Sequence, residues 1–434
     1  MMKGSITVFL ALSLSVLTGI IVFLTGNAIR NADKVRLEGT VDMAMSSVLG
    51  EFHKKLHERY DLLYVDLTHQ DRGSIKQKLQ NRFSFYMYQN GYLNSGQRPW
   101  SGLLISQAEV TDFKTATKEN GKSVKKQAVS YKYHCGTESQ TVYGCGEGKI
   151  LLKKDRDAIG EWMSLMGEIQ AMELPVIIDE YGQKKQVPLN NPAEAVYEMT
   201  DNDVLYMIGI DTSKIGVGAI KTEEYISGRG HEDLQNLISN EKETRIFTEY
   251  LFEKMGNYGR TREDSFLEYQ LEYIAVGQRS DYENLKKTIE ELLFRRFAVN
   301  VTEAFADSNL CMYAQTIAGE LHAVQLKEEF LKPVADSIVY AHAYRKSLEE
   351  IQTLMQGKTL EGYTYEEYLF CLITELPEQL RNLRSMDIME MDIRYLTGNS
   401  GFSMDKCVEK FTTNTQAVCN LGEKYALTRT YGYY

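Results

Sequence analysis

The sequence predicts a mainly α protein with a smaller α+β portion. A long N-terminal transmembrane helix continues as a stalk, and a soluble, mostly helical body follows. Three observations predict this. Ser5 to Gly26 carries no charge across 22 residues, and as a helix it would run about 33 Å at roughly 1.5 Å per residue. That length matches a hydrocarbon core of about 30 Å. Beyond it, Val35, Val41, Ala44, Met45, Val48, Leu49, Phe52 and Leu56 approximate a 3.6-residue repeat on a charged background. From about Pro192 onward the chain reads as successive helical stretches separated by Gly, Pro and capping residues.

The apolar run is too long for a signal peptide, and apolar residues continue at helical spacing through Asn27–Val35. No later segment is apolar enough to surround it as a core helix. Thr7, Ala11, Ser15 and Gly19 recur every four residues and so share one side of the helix. Small residues in that pattern let two membrane helices approach closely. They form the candidate packing face toward partner transmembrane helices. No proline interrupts residues 1–98, so one nearly continuous helix is expected from Ile6 to Arg59. Gly26, Gly39 and Gly50 are its points of bending.

A short basic leader ends in Gly4, followed by Ser5, an apolar helix and an amphipathic stalk. In this the N-terminus resembles a type IV pilin or Tad-type pseudopilin. The resemblance implies cleavage between Gly4 and Ser5 by a prepilin peptidase. The chain has Phe9 where that family usually carries a Glu that docks a subunit into the filament. Three longer stretches are MKGSITVFLALSLSVLTGI at the start, LEYQLEYIAVGQRSDYENLKKTIEELLFRRF from Leu267, and EGYTYEEYLFCLITELPEQLRNLRSMDIMEMDIR from Glu361. They resemble a clostridial family of uncharacterised membrane proteins encoded beside Tad pilus-assembly genes. That resemblance implies a place in the cell envelope and carries no catalytic motif.

A formal charge of −11 excludes nucleic acid as a partner. The expected partners are membrane lipid and the transmembrane helices of pilus or secretion machinery; no small-molecule substrate and no cofactor are inferred. Tyr is abundant, at 28, and is expected chiefly in the core. Orientation has two readings. Lys3 precedes the anchor, whereas Arg30, Lys34 and Arg36 follow it, and that bias alone favours a cytoplasmic body. The pilin-like reading puts the N-terminus in the cytoplasm and the body outside. It is preferred, because long segments translocate largely regardless of charge. Among six cysteines, Cys135 and Cys145 flank a Gly-bounded loop that a disulfide can close, and no C-x-x-C occurs.

In linear order the chain divides into a leader (1–4), the transmembrane helix (5–26), the stalk (27–66), an α+β region (67–190) and a mostly helical domain (191–434). Tyr60 to Leu67 is an apolar run suited to packing the stalk. Helices are expected at Ser74–Tyr88, Gly121–His134 and Ile150–Met172, with a strand at Leu103–Thr117 and another starting near Leu174. Gly91 to Gly102 reads as loop. Glu194–Met199 is helical; Asp203–Ile210 and Ile215–Ile220 read as short strands; Thr222–Gly230 reads as an exposed loop. Helices then follow at Glu232–Met255, Ser265–Gly277, Asp281–Ala306 with Ser280 as N-cap, Asn309–Leu331, Pro333–Gln356, Thr364–Thr374 and Pro377–Leu396. A helix from Asp405 and a polar tail close the chain.

The motifs of chemistry are incomplete. GKS at Gly121–Ser123 lacks the leading Gly of a phosphate loop, with Ala116 in its place. HEDLQ from His231 lacks the second His of a zinc helix. His53 and His57 have metal-compatible spacing but read as a solvated helix face. Asp387, Glu390 and Asp392, with Arg384 and Arg394 nearby, read as a salt-bridged helix face. The expectation is therefore a structural or assembly protein and no enzyme. The alternative is a membrane-tethered extracytoplasmic enzyme or sensor, which a convergent cluster of His, Asp, Glu or Ser would favour.

Overall fold

The computed structural model describes residues 3–68, 73–91, 104–135, 156–174, 176–186, 189–229, 240–322, 328–418 and 422–433. The chain forms two compact units, one of residues 1–131 with 389–434 and the other of residues 132–388. They cut across the linear partition, because the C-terminus returns to the N-terminal unit.

In the first unit, α1 runs from Lys3 to Gly50 as one helix. It stops at Gly50, one of the three glycines expected to weaken it, and so does not reach Arg59. A short α2 (Lys54–Tyr60) restarts after a three-residue break. His53 is its N-cap, with Nδ1 accepting from the Leu56 N–H at 3.0 Å. Asp61 ends it in the left-handed region, φ 53°. A four-stranded antiparallel sheet follows, built on β5 (Cys407–Val418). It pairs with β2 (Leu104–Thr115), with β6 (Lys424–Gly432) and with the short β1 (Val65–Asp66). Helices α1 and α3 (Ile75–Gly91) cover one face of it. Leu37, Val41, Ala44, Met45 and Val48 of α1 meet Leu79, Phe83 and Met87 of α3 over Val110, Val408 and Phe411. This is one helical layer on one sheet, each burying its apolar side against the other. In α4 (Lys118–His134), Glu119 to Gly121 have positive φ, so regular helix begins at Lys122, one residue from the expected start.

The C-terminal helix and tail expected from Asp405 are instead β5 and β6. Only a single 3₁₀ turn, Met404–Lys406, precedes them. Along β5, Phe411, Thr413, Thr415 and Ala417 are buried, while Lys410 and Gln416 are exposed. The alternation is present, but half of its inward positions are Thr, whose polar label hides the period of two from a hydrophobicity reading. Thr is nonetheless a strand former, because its branched Cβ packs well on a pleated surface.

The second unit is a helical assembly around α10 (Asp281–Ala306) and α12 (Leu331–Met355). The helix α5 (Ala158–Ala171) packs on both, and its Trp162 ring lies among Tyr197, Phe297, Tyr340 and Tyr344. Tyr250, Tyr273 and Tyr368 are also buried, as the core reading of the tyrosines requires. A small hairpin, β3 (Val176–Ile178) with β4 (Lys184–Gln186), follows α5. Then come α6 (Glu194–Glu198) and α7 (Val204–Met207). The strand expected over Asp203–Ile210 is thus a helical turn: Asp203 caps it by accepting from Leu205 N–H at 2.9 Å, and Gly209 at φ 76° ends it. Ile215–Ile220 forms only a single bridge, Ala219 with Ser280. The helices α8 (Glu241–Lys254), α9 (Gln270–Val276), α11 (Ser308–His322), α13 (Tyr365–Glu375) and α14 (Glu378–Thr397) complete the order. Ser280 caps α10 as expected, accepting from Glu283 N–H at 3.2 Å.

Candidate functional site

The feature that asks for a partner is the first half of α1. From Ile6 to Leu24 its large apolar side chains are exposed, Phe9 and Val22 at 71%. Burying a single Leu or Phe is worth roughly 1.5–3 kcal/mol, so leaving this whole stretch in water is costly. It is the one helix among the described residues long and apolar enough to cross a membrane. Its few hydroxyls are consistent with that setting. Ser15 donates to the Leu12 carbonyl, Thr18 to Leu14 and Thr25 to Ile21, at 2.7–2.9 Å. These three hydroxyls are thus satisfied within the helix, as lipid requires. Of the small-residue face, Ala11, Ser15 and Gly19 are exposed or nearly so, and no atom lies within 4 Å of where a Gly19 Cβ would sit. Thr7 is on the same exposed stretch. Gly4 and Ser5 lie in the first turn of α1, so the peptide bond between them is helical.

The second half of α1 is fixed to the sheet by polar contacts as well as by its stripe. Arg30 pairs with Glu423 at 2.8 Å, and Arg429 of β6 reaches Glu38 and Asp42 at 3.6 Å. The Tyr433 hydroxyl donates to the Leu49 carbonyl, one of the orphan carbonyls at the helix end. Glu51, just past that end, accepts from Tyr86 at 2.6 Å and pairs with Arg82 at 2.9 Å. The hydrogen bond to Glu51 raises the Tyr86 phenol above its usual range.

The three acids of α14, expected on a salt-bridged helix face, are all fully buried. Within the first unit, Glu390 pairs with Arg394 and accepts from Met404 N–H at 3.0 Å. Asp392 accepts from Arg59 at 3.1 Å and from the Tyr60 hydroxyl at 2.7 Å. In the second unit, Asp387 accepts from Ser227 N–H at 3.0 Å and from the Tyr273 hydroxyl at 2.9 Å. Arg384 donates to the carbonyls of Ile274 and Ala275 at the end of α9. The sequence placed Arg384 and Arg394 correctly as neighbours. It missed Arg59, Tyr60, Tyr273 and Ser227, which lie over a hundred residues away. Ser227 also shows that the expected exposed loop at Thr222–Gly230 turns inward, with Ile226 buried.

Beside this network the loop Gly256–Arg260 is clamped by two buried side chains of α9. Gln270 accepts from Gly256 N–H at 3.0 Å, and Glu272 from Tyr258 N–H at 2.8 Å. The Tyr365 hydroxyl donates to the same Glu272 oxygen, while Oε2 has no partner. Burial pushes the Glu272 carboxyl up to about 7, against the opposing hydrogen bonds from Tyr258 and Tyr365. Asp281, also fully buried, accepts from Glu268 and Tyr269 N–H, and burial still raises it.

His53 and His57 do structural work: His53 caps α2 and lies tilted against the Phe402 ring, and His57 meets the Phe52 ring edge-on. Ser123 of GKS shares a hydrogen bond with the Tyr64 hydroxyl at 2.8 Å, inside the first unit. HEDLQ lies outside the described residues. Among those residues no cluster of three His, Cys, Asp or Glu is arranged to hold a metal. Cys135 is a free, exposed thiol at the end of α4. Cys145 itself lies outside the described residues. The buried Cys371 is disulfide-bonded, and Cys311 and Cys407 are free.

The helical body with its buried acids and the returning strands define a class by composition of parts: a single apolar N-terminal helix attached to a large mixed body. Residues 182–361 and 356–419 match the family of unknown function DUF5702, more than half of the chain, and the protein belongs to that family. No curated protein and no solved structure matches it.

Proposed function

We propose that the chain is a membrane-anchored, pseudopilin-like cell-envelope protein with a structural or assembly role beside a Tad-type pilus or secretion system. The observation that carries this reading is the unbroken passage of α1 from an exposed apolar half into a half fixed on a sheet. Such a helix ties the membrane segment directly to the sheet of the first unit. The N-terminal residues up to Ser5 supply the processing site, and Thr7, Ala11, Ser15 and Gly19 supply a face for partner helices. The body lies outside the cell in this reading, and the Cys371 disulfide supports it, because disulfides persist in oxidising surroundings. A second reading, a tethered sensor, draws on a cleft between α6, α11 and α12.

The test is the intact mass and N-terminal residue of protein extracted from native membranes. Processing gives a chain beginning at Ser5, and Gly4→Val abolishes it. On intact cells a membrane-impermeant maleimide should label the exposed Cys135. A chain that retains its leader and shields Cys135 until lysis would overturn both the pilin-like processing and the outside body.

A further inference from the structure

The cleft between α6, α11 and α12 measures about 380 Å³. That is within the range of roughly 300–1,000 Å³ typical of small-ligand pockets. One wall is apolar, formed by Val196 of α6 and by Tyr313 and Ile317 of α11. The other is formed by α12 and carries His342, Arg345 and Lys346, with Glu349 at its end. His342 and Arg345 are three residues apart and so lie on one helix face. Both are exposed.

These two side chains differ from the neighbouring cations in making no ion pair among the described residues. Lys346 is engaged by Glu303 at 2.8 Å. Arg295 holds Glu291 and Glu375, and Arg296 holds Glu350 and Glu361. His342 and Arg345 make no hydrogen bond or ion pair among the described residues. Glu349 is one helical turn from Arg345, the spacing for an ion pair, yet none forms. In a chain of net charge −11, a free guanidinium beside an apolar wall is a place for an anion supplied from outside. Guanidinium presents two parallel N–H donors that match a carboxylate, and it is weakly hydrated enough to work beside apolar surface.

We propose that this cleft binds a small organic anion: an apolar body of about ten carbon atoms bearing one carboxylate. The body lies against Tyr313, Ile317 and Val196. The carboxylate takes the two N–H donors of Arg345, and His342 donates a third hydrogen bond. Nothing in the assembly reading above requires this site.

Isothermal titration with naphthoate tests it, using the full chain in zwitterionic-lipid nanodiscs with the heat of empty nanodiscs subtracted. Saturable binding is expected, with a Kd of roughly 0.1–1 mM for a ligand of this size. The neutral naphthamide should bind at least tenfold more weakly. Arg345→Gln should weaken naphthoate about tenfold, the worth of one charge-assisted contact. Tyr313→Ala, which trims the apolar wall at an exposed position, should weaken naphthoate and naphthamide alike. Both substitutions are at the surface, and an unchanged melting midpoint verifies the fold. No saturable heat, equal affinity for the amide, or an Arg345→Gln chain that binds as well as the original would each overturn the proposal. The Gly4→Val chain should bind naphthoate unchanged, which separates this site from the processing reading.

Discussion

Asp387→Ala should lower the stability of the helical unit by about 3–5 kcal/mol, the range for removing one partner of a buried charge network. Asp387 is fully buried and accepts from Ser227 N–H and the Tyr273 hydroxyl. Alanine would leave both donors without an acceptor in a space water does not reach. It would also remove the negative charge facing Arg384, a guanidinium whose pKa burial already lowers. Two smaller changes grade the effect. Tyr273→Phe takes away one donor and leaves Asp387 its backbone partner, so about 1 kcal/mol is expected. Asp387→Asn keeps the shape and one acceptor oxygen, and its cost should fall between the two. Urea unfolding at pH 7, read at the midpoint, gives all three values. If alanine costs under 1 kcal/mol, the carboxylate is not what ties the Ile226–Ser227 turn and α9 to α14.

That network also shows what a sequence displays and what it withholds. The N-cap Ser280 and the extent of α10, Asp281–Ala306, follow from local chemistry: a hydroxyl acceptor, acids in the first turn and a helical apolar period. The anchor is legible for the same reason, since lipid demands an uncharged stretch of fixed length. Burial of Asp387, Glu390 and Asp392 is not local. MDIMEMDIR alternates acids with Met and Ile on every side, and such a helix is either a charged surface or a fully enclosed one. The choice depends on Arg59, Tyr60, Ser227 and Tyr273 arriving from elsewhere in the chain. One signal was available: Met386, Ile388, Met389, Met391 and Ile393 leave no polar face, and a helix apolar all round is enclosed. The stop of α1 at Gly50 was half legible. Glycine marked the weak point, but the break is set by Phe52 bridging to Val65 and by His53 capping α2. The strand β5 was hidden by Thr413 and Thr415 at core positions. The Gly209 turn was hidden because four apolar residues between polar ends suit a strand and a short helix equally.

Stability of the same unit should fall as pH rises from about 4.5 to about 7, and Glu272→Gln should abolish most of that fall. The Glu272 carboxyl titrates near its usual 4.5 when the chain is unfolded and at about 7 when folded. Below 4.5 both states hold the proton, so the group adds no pH dependence there. Between the two values the folded state keeps a proton the unfolded state has released, and raising the pH therefore favours unfolding. Above 7 the loss levels off at about 3 kcal/mol, at roughly 1.36 kcal/mol per pH unit. Burial is the largest cause: an ionised carboxylate here would carry charge on Oε2, which no donor reaches. Asp281, also raised by burial, acts in the same direction, whereas two acids lowered against the effect of burial act only in acid: Glu253, by Lys132 and Lys254, and Asp203, by the Tyr282 hydroxyl, the Leu205 N–H and Lys286. Glutamine keeps an oxygen for Tyr258 N–H and the Tyr365 hydroxyl, but it places an amide where Oε2 has no partner, at a cost of about 1 kcal/mol. The two stability curves should therefore cross. The Gln chain should be slightly weaker at pH 5 and about 2 kcal/mol stronger at pH 8. Urea midpoints across that range measure both. Parallel curves would mean that the carboxylate is ionised in the fold and that Oε2 has a donor, and the clamp on Gly256–Arg260 would then be an ion site rather than a neutral hydrogen-bonded one.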